Sequence, residues 1–514
     1  MPRFYLTTAI DYANGDPHLG HALEKIGADA IARYRRMAGD DVHFLMGMDE
    51  HGQKVAQAAA ERDIPPQTQA DEIAERFRAL WSRLAVSYDQ FIRTTDRAHK
   101  AGVKAFIERC LTRSPQDFYE KSYEGWYCVG CEQFKRDDEI EDQRCVLHPT
   151  RQLEWTEERN WFFRLTNYQE FFETLFREQP RFLEPESRRN EMLRLLESGL
   201  EDISITRARL SWAIPFPRNT SDGVEQGTWV WFDALPNYLT ATGFPAAGYE
   251  ERWPAQLHVI GKDITRLHAV IWPAMLASAG LELPERVWAH GFAYFRGERF
   301  SKSAGVRLDL DEALRRFGAD AFRYFLLREV PFDADGNFSW ERFEERYNAE
   351  LANALGNLAS RATAMVEKYF CGVIPGGVRG DVDAADLRDL EDYHAALDGS
   401  RGYPLHLALE AVWRTVARGN EFIQNSAPWA MAKDPARRVE LERTLATACR
   451  QLARQAVCLA PFMPVKSDEL WTRLGGGGSV HDQLLADLPS LDTAGWTVRT
   501  GAPLFPRESP APAA

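Results

Sequence analysis

With 514 residues, 45% of them hydrophobic, the chain is too long for one ordinary core and reads as a soluble globular protein of about three or four domains. A formal charge of -14 excludes a wholly basic nucleic-acid sponge, although clusters such as Arg33, Arg35 and Arg36, or Arg188, Arg189 and Arg194, can still meet phosphates locally. No apolar run approaches the ~20 residues of a membrane helix, no secretory leader opens the chain, and seven cysteines are too few and too scattered for a disulfide framework, so a cytoplasmic protein with no membrane role is expected.

Phe4 to Thr8 reads as a strand entering a Gly- and Pro-containing loop. Leu19, Leu23, Ile26, Ala30, Tyr34 and Met37 then recur at steps of three and four, which lays one apolar stripe along a helix, and Val42 to Met46 reads as a second strand. Such a β-α-β unit opens a parallel sheet whose ligands sit at the carboxyl ends of its strands, where Gly15-Asp16-Pro17 falls. Helical pattern runs on from about Thr68 to Thr112, and a Tyr-, Trp-, Cys- and Asp-rich stretch to about Pro149 marks an inserted domain. Strands are expected again at Thr228-Trp-Val-Trp-Phe, at Gln256 to Ile260 and at Val287 to Phe295, as the second half of the same sheet. Beyond Trp340, helical windows at Leu351 to Phe370, Ala384 to Asp398, Leu405 to Gln424 and Arg437 to Ala460 imply an all-α domain. Gly475 to Gly478 reads as a loop and the Pro-rich end after Pro506 as a frayed tail.

Three motifs carry chemistry. His18-Leu19-Gly20-His21 opens the first helix, so two imidazoles share the anion-attracting end of that helix and Gly20 leaves room for a flat base to approach the backbone. Far along the chain, Arg299-Phe300-Ser301-Lys302-Ser303 places an amine in a loop, where it can neutralise departing phosphates. Taken singly, these are commonplace: solvated histidines and a basic turn. Cys128-x2-Cys131-x13-Cys145-x2-His148 is more specific, because two tight pairs of soft or borderline donors suit tetrahedral zinc. Four protein ligands leave no open position, so one structural zinc ion is expected.

The order strand, His-Leu-Gly-His, long insertion, sheet and Arg-Phe-Ser-Lys-Ser resembles the paired ATP signatures of class I aminoacyl-tRNA synthetases. Over nearly the whole chain, to about Phe505, it resembles the methionyl-tRNA synthetase family through Ala13-Asn14-Gly15, Met48-Asp49-Glu50-His51-Gly52, Trp231-Phe232-Asp233-Ala234, Gly261-Lys262-Asp263-Ile264 and Ala427-Pro428-Trp429. Two departures stand out: the lysine loop has arginine and phenylalanine where the family reads lysine and methionine, and Ala9 replaces a proline.

The resemblance implies an α/β fold with a Rossmann-like parallel-sheet catalytic domain (1–115 and 226–295), a zinc-binding connective insertion (116–225), a linking region with the lysine loop (296–338), an α-helical anticodon-binding domain (339–506) and a flexible tail (507–514). It implies ATP-dependent activation of L-methionine to its adenylate and transfer to tRNA(Met), the initiator included, by a monomer, with Mg2+ accompanying ATP. His18, His21 and Lys302 are the implied catalytic groups, and Gly20, Gly261, Asp263 and Ser301 join them around ATP. Asp49, at a strand's carboxyl end, is expected to hold the ammonium of methionine. Ile10, Tyr12, Trp231, Ala234, Leu235, Tyr238, Ile264, Leu267 and His268 are expected around its side chain, with Tyr238 and His268 donating to sulfur. Asn357, Arg361 and Trp429 match the anticodon-reading positions, where unpaired bases stack on an indole and amide or guanidinium groups bind their edges. The alternatives are a catalytically altered paralogue acting as an RNA-binding or regulatory protein, a nucleotidyltransferase without tRNA, and, nearest of all, a class I synthetase of another specificity, against which the interval from His21 to Arg299 leaves no room for a large editing domain. Intact His18, His21, Asp49 and Lys302 oppose the first, and the long helical domain carrying Trp429 opposes the second.

Overall fold

The computed structural model of the chain describes residues 1–129, 133–135, 139–146, 148–208, 210–295, 298–299 and 310–507. Its centre is a parallel sheet of β1 (Arg3–Thr8), β2 (Asp11–Tyr12), β3 (Asp41–Asp49), β4 (Gln90–Arg93), β5 (Leu183–Glu184), β6 (Leu257–Gly261) and β7 (Val287–His290). The order across it is β5-β7-β6-β1-β3, with β2 and β4 both pairing with β3. In register, Leu6 faces Leu257 on one side and Phe44 on the other. The strands are apolar on both faces: Leu257 and Val259 pack toward helix α1 (Leu19–Met37), while Ile260 packs into a second core on the far side. Burial on both faces is what a parallel sheet requires.

Several sequence expectations are corrected here. The helical stretch expected from Thr68 to Thr112 is two helices, Pro66–Arg83 and Arg97–Arg113, separated by β4. That strand is short and polar at both ends, and its pairing with Leu45 to Met48 of β3 overrides its weak local pattern. Thr228-Trp-Val-Trp-Phe is not a strand beyond Thr228, since Val230–Ala234 is a helical turn. A short apolar run cannot announce which of the two it will be. Val287 to Phe295 divides into β7 and a separate strand, Ala293–Phe295, which pairs with Gly336–Phe338 outside the central sheet. The break falls at Gly291, where an added Cβ would sit 2.1 Å from the Ala334 carbonyl oxygen.

Between the two halves of the sheet, Phe118–Cys128 and Glu154–Phe163 form a long antiparallel hairpin with Phe118 opposite Phe163. A three-stranded knuckle, Ile140–Glu141, Arg144–Cys145 and His148–Gln152, projects from it. The chain then returns to the central sheet through β5, which lies inside the interval expected as insertion. The all-α region contains α2 (Asn357–Phe370), α3 (Asp381–Leu397), α4 (Leu405–Ser426), α5 (Arg438–Leu459) and α6 (Pro464–Leu474). Its core is continuous with that beneath α1, running from Phe4 to Phe505.

Candidate active site

β1, β3 and β6 are adjacent and parallel, so their carboxyl ends lie along one edge of the sheet. His18 caps α1: its Nδ1 accepts from the Gly20 amide (3.2 Å), while His21 Nδ1 accepts from the His18 amide (3.1 Å), and the two rings stack with centroids 3.7 Å apart. A backbone amide only donates, so each neutral ring carries its hydrogen on Nε2. Capping thereby fixes both tautomers with Nε2–H groups as donors. A Cβ at Gly20 would meet the His18 ring at 3.1 Å, which gives this glycine a packing reason as well.

Behind these rings lies a buried charge network that sequence reasoning missed. The Lys25 ammonium donates to the Ala9 carbonyl (2.7 Å), Asp11 Oδ1 (2.9 Å) and Glu24 Oε1 (2.6 Å), and His290 Nε2 lies 3.2 Å from Glu24 Oε2. Burial and the neighbouring Glu24 raise the Asp11 carboxyl against the pull of Lys25, to about 7. Asp11 Oδ1 lies 3.9 Å from His21 Nε2, so its charge is felt by the motif. The signal available in the sequence was charged residues, Glu24, Lys25 and Asp29, among the buried positions of a mostly apolar helix.

Asp49 ends β3, buried, with Tyr12 of β2 in register beside it. Trp231 meets Tyr12 edge-on with ring centroids 6.0 Å apart and His268 at 6.3 Å. Ala234, Leu235, Tyr238 and Leu267 are buried, and Ile10, Trp231 and Ile264 pack on the same core as the last three. Leu267–Ile271 is a π-helical turn, a widening often found at functional sites, and it carries His268. Gly261 closes β6 and Asp263 follows on an exposed turn, close enough that a Cβ on Gly261 would stand 2.8 Å from its Oδ1.

One expected role is corrected. His268 Nδ1 faces the Ile264 carbonyl (3.0 Å), an acceptor, so this nitrogen holds the hydrogen. Burial holds the imidazole neutral by lowering its pKa to about 4, so Nε2 accepts the Tyr238 hydroxyl at 2.8 Å. The single Tyr238 hydrogen is thus committed to His268, and neither group retains one for sulfur. The two form an internally satisfied wall instead.

A second buried cluster stands beside this pocket. Asp233 accepts from His51 Nδ1 (2.6 Å) and His99 Nε2 (2.9 Å), and His99 Nδ1 meets Thr240 Oγ1 (2.8 Å). Burial pushes the Asp233 carboxyl up, but the His51 and His99 groups outweigh it and hold Asp233 at about 2.

Elsewhere, Cys128 and Cys145 are buried beside Leu153, and Cys145 is in register opposite His148. Cys131 lies outside the described residues, as do Ser301 and Lys302. Arg361, on α2, holds its guanidinium 5.5 Å from the ring centroid of Trp429, which is 38% exposed, and Asn357 opens the same helix on an exposed position.

The family described as tRNA synthetases class I (M) matches residues 4–148 and 136–363. Methionine–tRNA ligase of Thermotoga maritima is 40% identical over 516 residues, covering 98% of this chain and 80% of that protein. Its counterpart in Brucella suis is 41% identical over 516 residues, covering 98% of each. The solved structure of Mycobacterium tuberculosis methionyl-tRNA synthetase in complex with methionyl-adenylate superposes with a TM-score of 0.92 at 39% identity, over 99% of this chain and 100% of that one.

Proposed function

The chain belongs to the methionyl-tRNA synthetase family, and from that premise we infer that it is a methionine–tRNA ligase. The methionine carboxylate attacks the α-phosphorus of ATP and pyrophosphate departs. A terminal ribose hydroxyl of tRNA then attacks the adenylate carbonyl, loses its proton and releases AMP. The observation that carries the reading is a chain of neighbours at the carboxyl edge of the sheet: two Nε2–H imidazoles at a helix start, His21 3.9 Å from Asp11, Tyr12 in register beside the buried Asp49, and Trp231 against Tyr12 and His268.

In this reading His18 and His21 donate to the α-phosphate as charge accumulates there, a form of electrostatic stabilisation that needs no covalent step. Lys302 neutralises the pyrophosphate, with Mg2+ arriving on ATP, and Gly20 and Ser301 lie along the nucleotide. Gly261 and Asp263 take the adenosine, the carboxylate accepting from ribose hydroxyls. Asp49 holds the ammonium. Ile10, Tyr12, Trp231, Ala234, Leu235, Tyr238, Ile264, Leu267 and His268 surround the thioether by shape and polarisability, since aromatic walls suit sulfur. With the Tyr238 and His268 hydrogens committed elsewhere, the apolar slot limits discrimination against a near-isostere to about 1–3 kcal/mol.

Cys128, Cys131, Cys145 and His148 fit one structural zinc: two buried thiols at strand ends, and a cysteine in register with the histidine, suit a closed tetrahedral site. Bound there, zinc would tie together a knuckle that has little apolar core of its own. Asn357, Arg361 and Trp429 take the anticodon of tRNA(Met), the ring and guanidinium already juxtaposed for stacking. No helix among the described residues is long and apolar enough to cross a membrane, and a cytoplasmic monomer is the matching proposal.

The test is methionine-dependent exchange of pyrophosphate into ATP, followed by aminoacylation of total tRNA with each of the twenty amino acids. Exchange with methionine alone, and charging of methionine-accepting tRNA, is the expected result. Silence with methionine would sink the reading.

A further inference from the structure

The clustering of His51, Asp233 and His99 has no part in the chemistry above, yet it joins two segments that line the pocket. His51 follows Asp49 by two residues at the end of β3, and Asp233 lies between Trp231 and Ala234 on the helical turn Val230–Ala234. The two are 182 residues apart in sequence and 2.6 Å apart in space. His99, near the start of the helix Arg97–Arg113, closes the other carboxylate oxygen at 2.9 Å and is itself held by Thr240. All three side chains are 3% exposed or less. The strand end is gripped from its other side by Trp212, whose indole donates to the Glu50 carbonyl at 2.5 Å and whose own carbonyl accepts from the Gly52 amide at 2.9 Å. Its ring meets the His51 imidazole edge-on at 5.5 Å.

We propose that His51 and Asp233 are positioning residues for the amino-acid substrate: their bond fixes the distance between Asp49, at the ammonium end of methionine, and Trp231 and Ala234, at its side-chain end. The inference rests on the reading of these residues as the methionine site. A short, charge-assisted, water-excluded bond is stiffer than the apolar packing around it. A site holding both ends of a small flexible ligand gains from a fixed spacing, because a displacement of about 1 Å at either end is felt in binding. The nucleotide groups hang on α1 and β6 instead, so methionine and ATP should respond differently when the bond is lost.

The experiment compares wild type with H51L, H51N and D233N by pyrophosphate exchange, varying methionine and ATP separately, and by methionine quenching of tryptophan fluorescence. H51L removes the donor at similar volume. It should raise KM and Kd for methionine at least tenfold while KM for ATP stays within about threefold. H51N, whose amide nitrogen reaches the Nδ1 position, should recover most of the loss, and D233N should fall between. A methionine KM within twofold of wild type in H51L, or an equal rise for both substrates, overturns the proposal. If H51L does not fold, D233N decides in its place: an unchanged methionine KM there overturns it. Absence of methionine-dependent exchange in the wild type would instead strike the parent reading.

Discussion

His268 shows how one side chain's environment decides its chemistry. Its folded pKa of about 4 lies below the ordinary histidine value of 6.5, because burial penalises the charged ring. The unfolded chain therefore binds a proton that the native one refuses between these values, and stability present above pH 6.5 is lost as pH falls toward 4. A shift of this size corresponds to roughly 3 kcal/mol. Asp11 acts with the opposite sign: raised to about 7, it makes the native state hold a proton that the unfolded chain gives up, so its share of stability fades as pH rises from the ordinary carboxyl range. The two windows overlap, so the wild-type curve can look flat between pH 4 and 6.5 while both groups titrate. The informative quantity is the difference between wild type and H268N, whose amide can still donate to the Ile264 carbonyl. Urea midpoints at pH 7.0 and 4.5 should show the variant losing roughly 2–3 kcal/mol less than wild type on acidification. Parallel losses would mean that His268 does not carry this linkage.

At the scale of elements, the knuckle Ile140–Glu141, Arg144–Cys145 and His148–Gln152 packs on a small cluster of Cys128, Cys145 and Leu153, with Trp126 and Ile140 against it and Tyr127 and Val129 buried nearby. So little area cannot offset the entropy of ordering such a segment, which is why a metal is expected to hold it. C128S should lose the one equivalent of zinc measured by metal analysis, and protease should then cut within 129–152 while the central sheet stays resistant. Full zinc content in C128S would contradict the ligand set. The nearness of Cys145 and His148 was legible in the sequence because that pair is local. Helix α1 was legible for a similar reason: nineteen residues with one apolar stripe outvote any competing pattern. Strand β4 and the turn Val230–Ala234 were not, since each is short and is decided by distant partners: β3 for the first, His51 and His99 for the second. The same limit hid Lys25 and Asp11, whose pairing exists only once β1, β2 and α1 are packed. It also led to the reading of Tyr238 and His268 as donors to sulfur, because residue type shows a hydrogen but not who already receives it.

Across the whole molecule, catalytic sheet and helical region share one core, and α1 is the rod between them. Its first turn presents His18 and His21, its middle carries Asp29, and Tyr34 near its end meets His394 of α3 at 3.0 Å. Asp29 is fully buried and 2.7 Å from Arg323, which is equally buried and donates to the carbonyls of Leu84 (3.1 Å), Pro461 (2.9 Å) and Phe462 (2.9 Å). One guanidinium thus ties α1, the end of the helix Pro66–Arg83 and the turn between α5 and α6. Asp29 also accepts from the Ser87 amide (2.7 Å) and hydroxyl (2.6 Å), and the Arg33 and Arg323 cations overcome burial to hold its carboxyl well below the usual range. A buried pair of this kind need not be worth more than a well-packed apolar substitute, but removing one partner strands the other. R323M should therefore lower unfolding free energy by about 3–5 kcal/mol, because three buried carbonyls lose their donor and the Asp29 carboxylate is left with Arg33 and Ser87 alone. D29N should be milder, since its amide still accepts from Ser87. In the double variant R323M/D29N neither member of the Arg323–Asp29 pair is left facing the other's gap, and only Arg33 loses its carboxylate, so the loss should be smaller than the sum of the two singles by at least about 1 kcal/mol. Strict additivity in urea denaturation would show that Arg323 is held by its carbonyls alone and that Asp29 contributes nothing to the tie between α1 and the helical region.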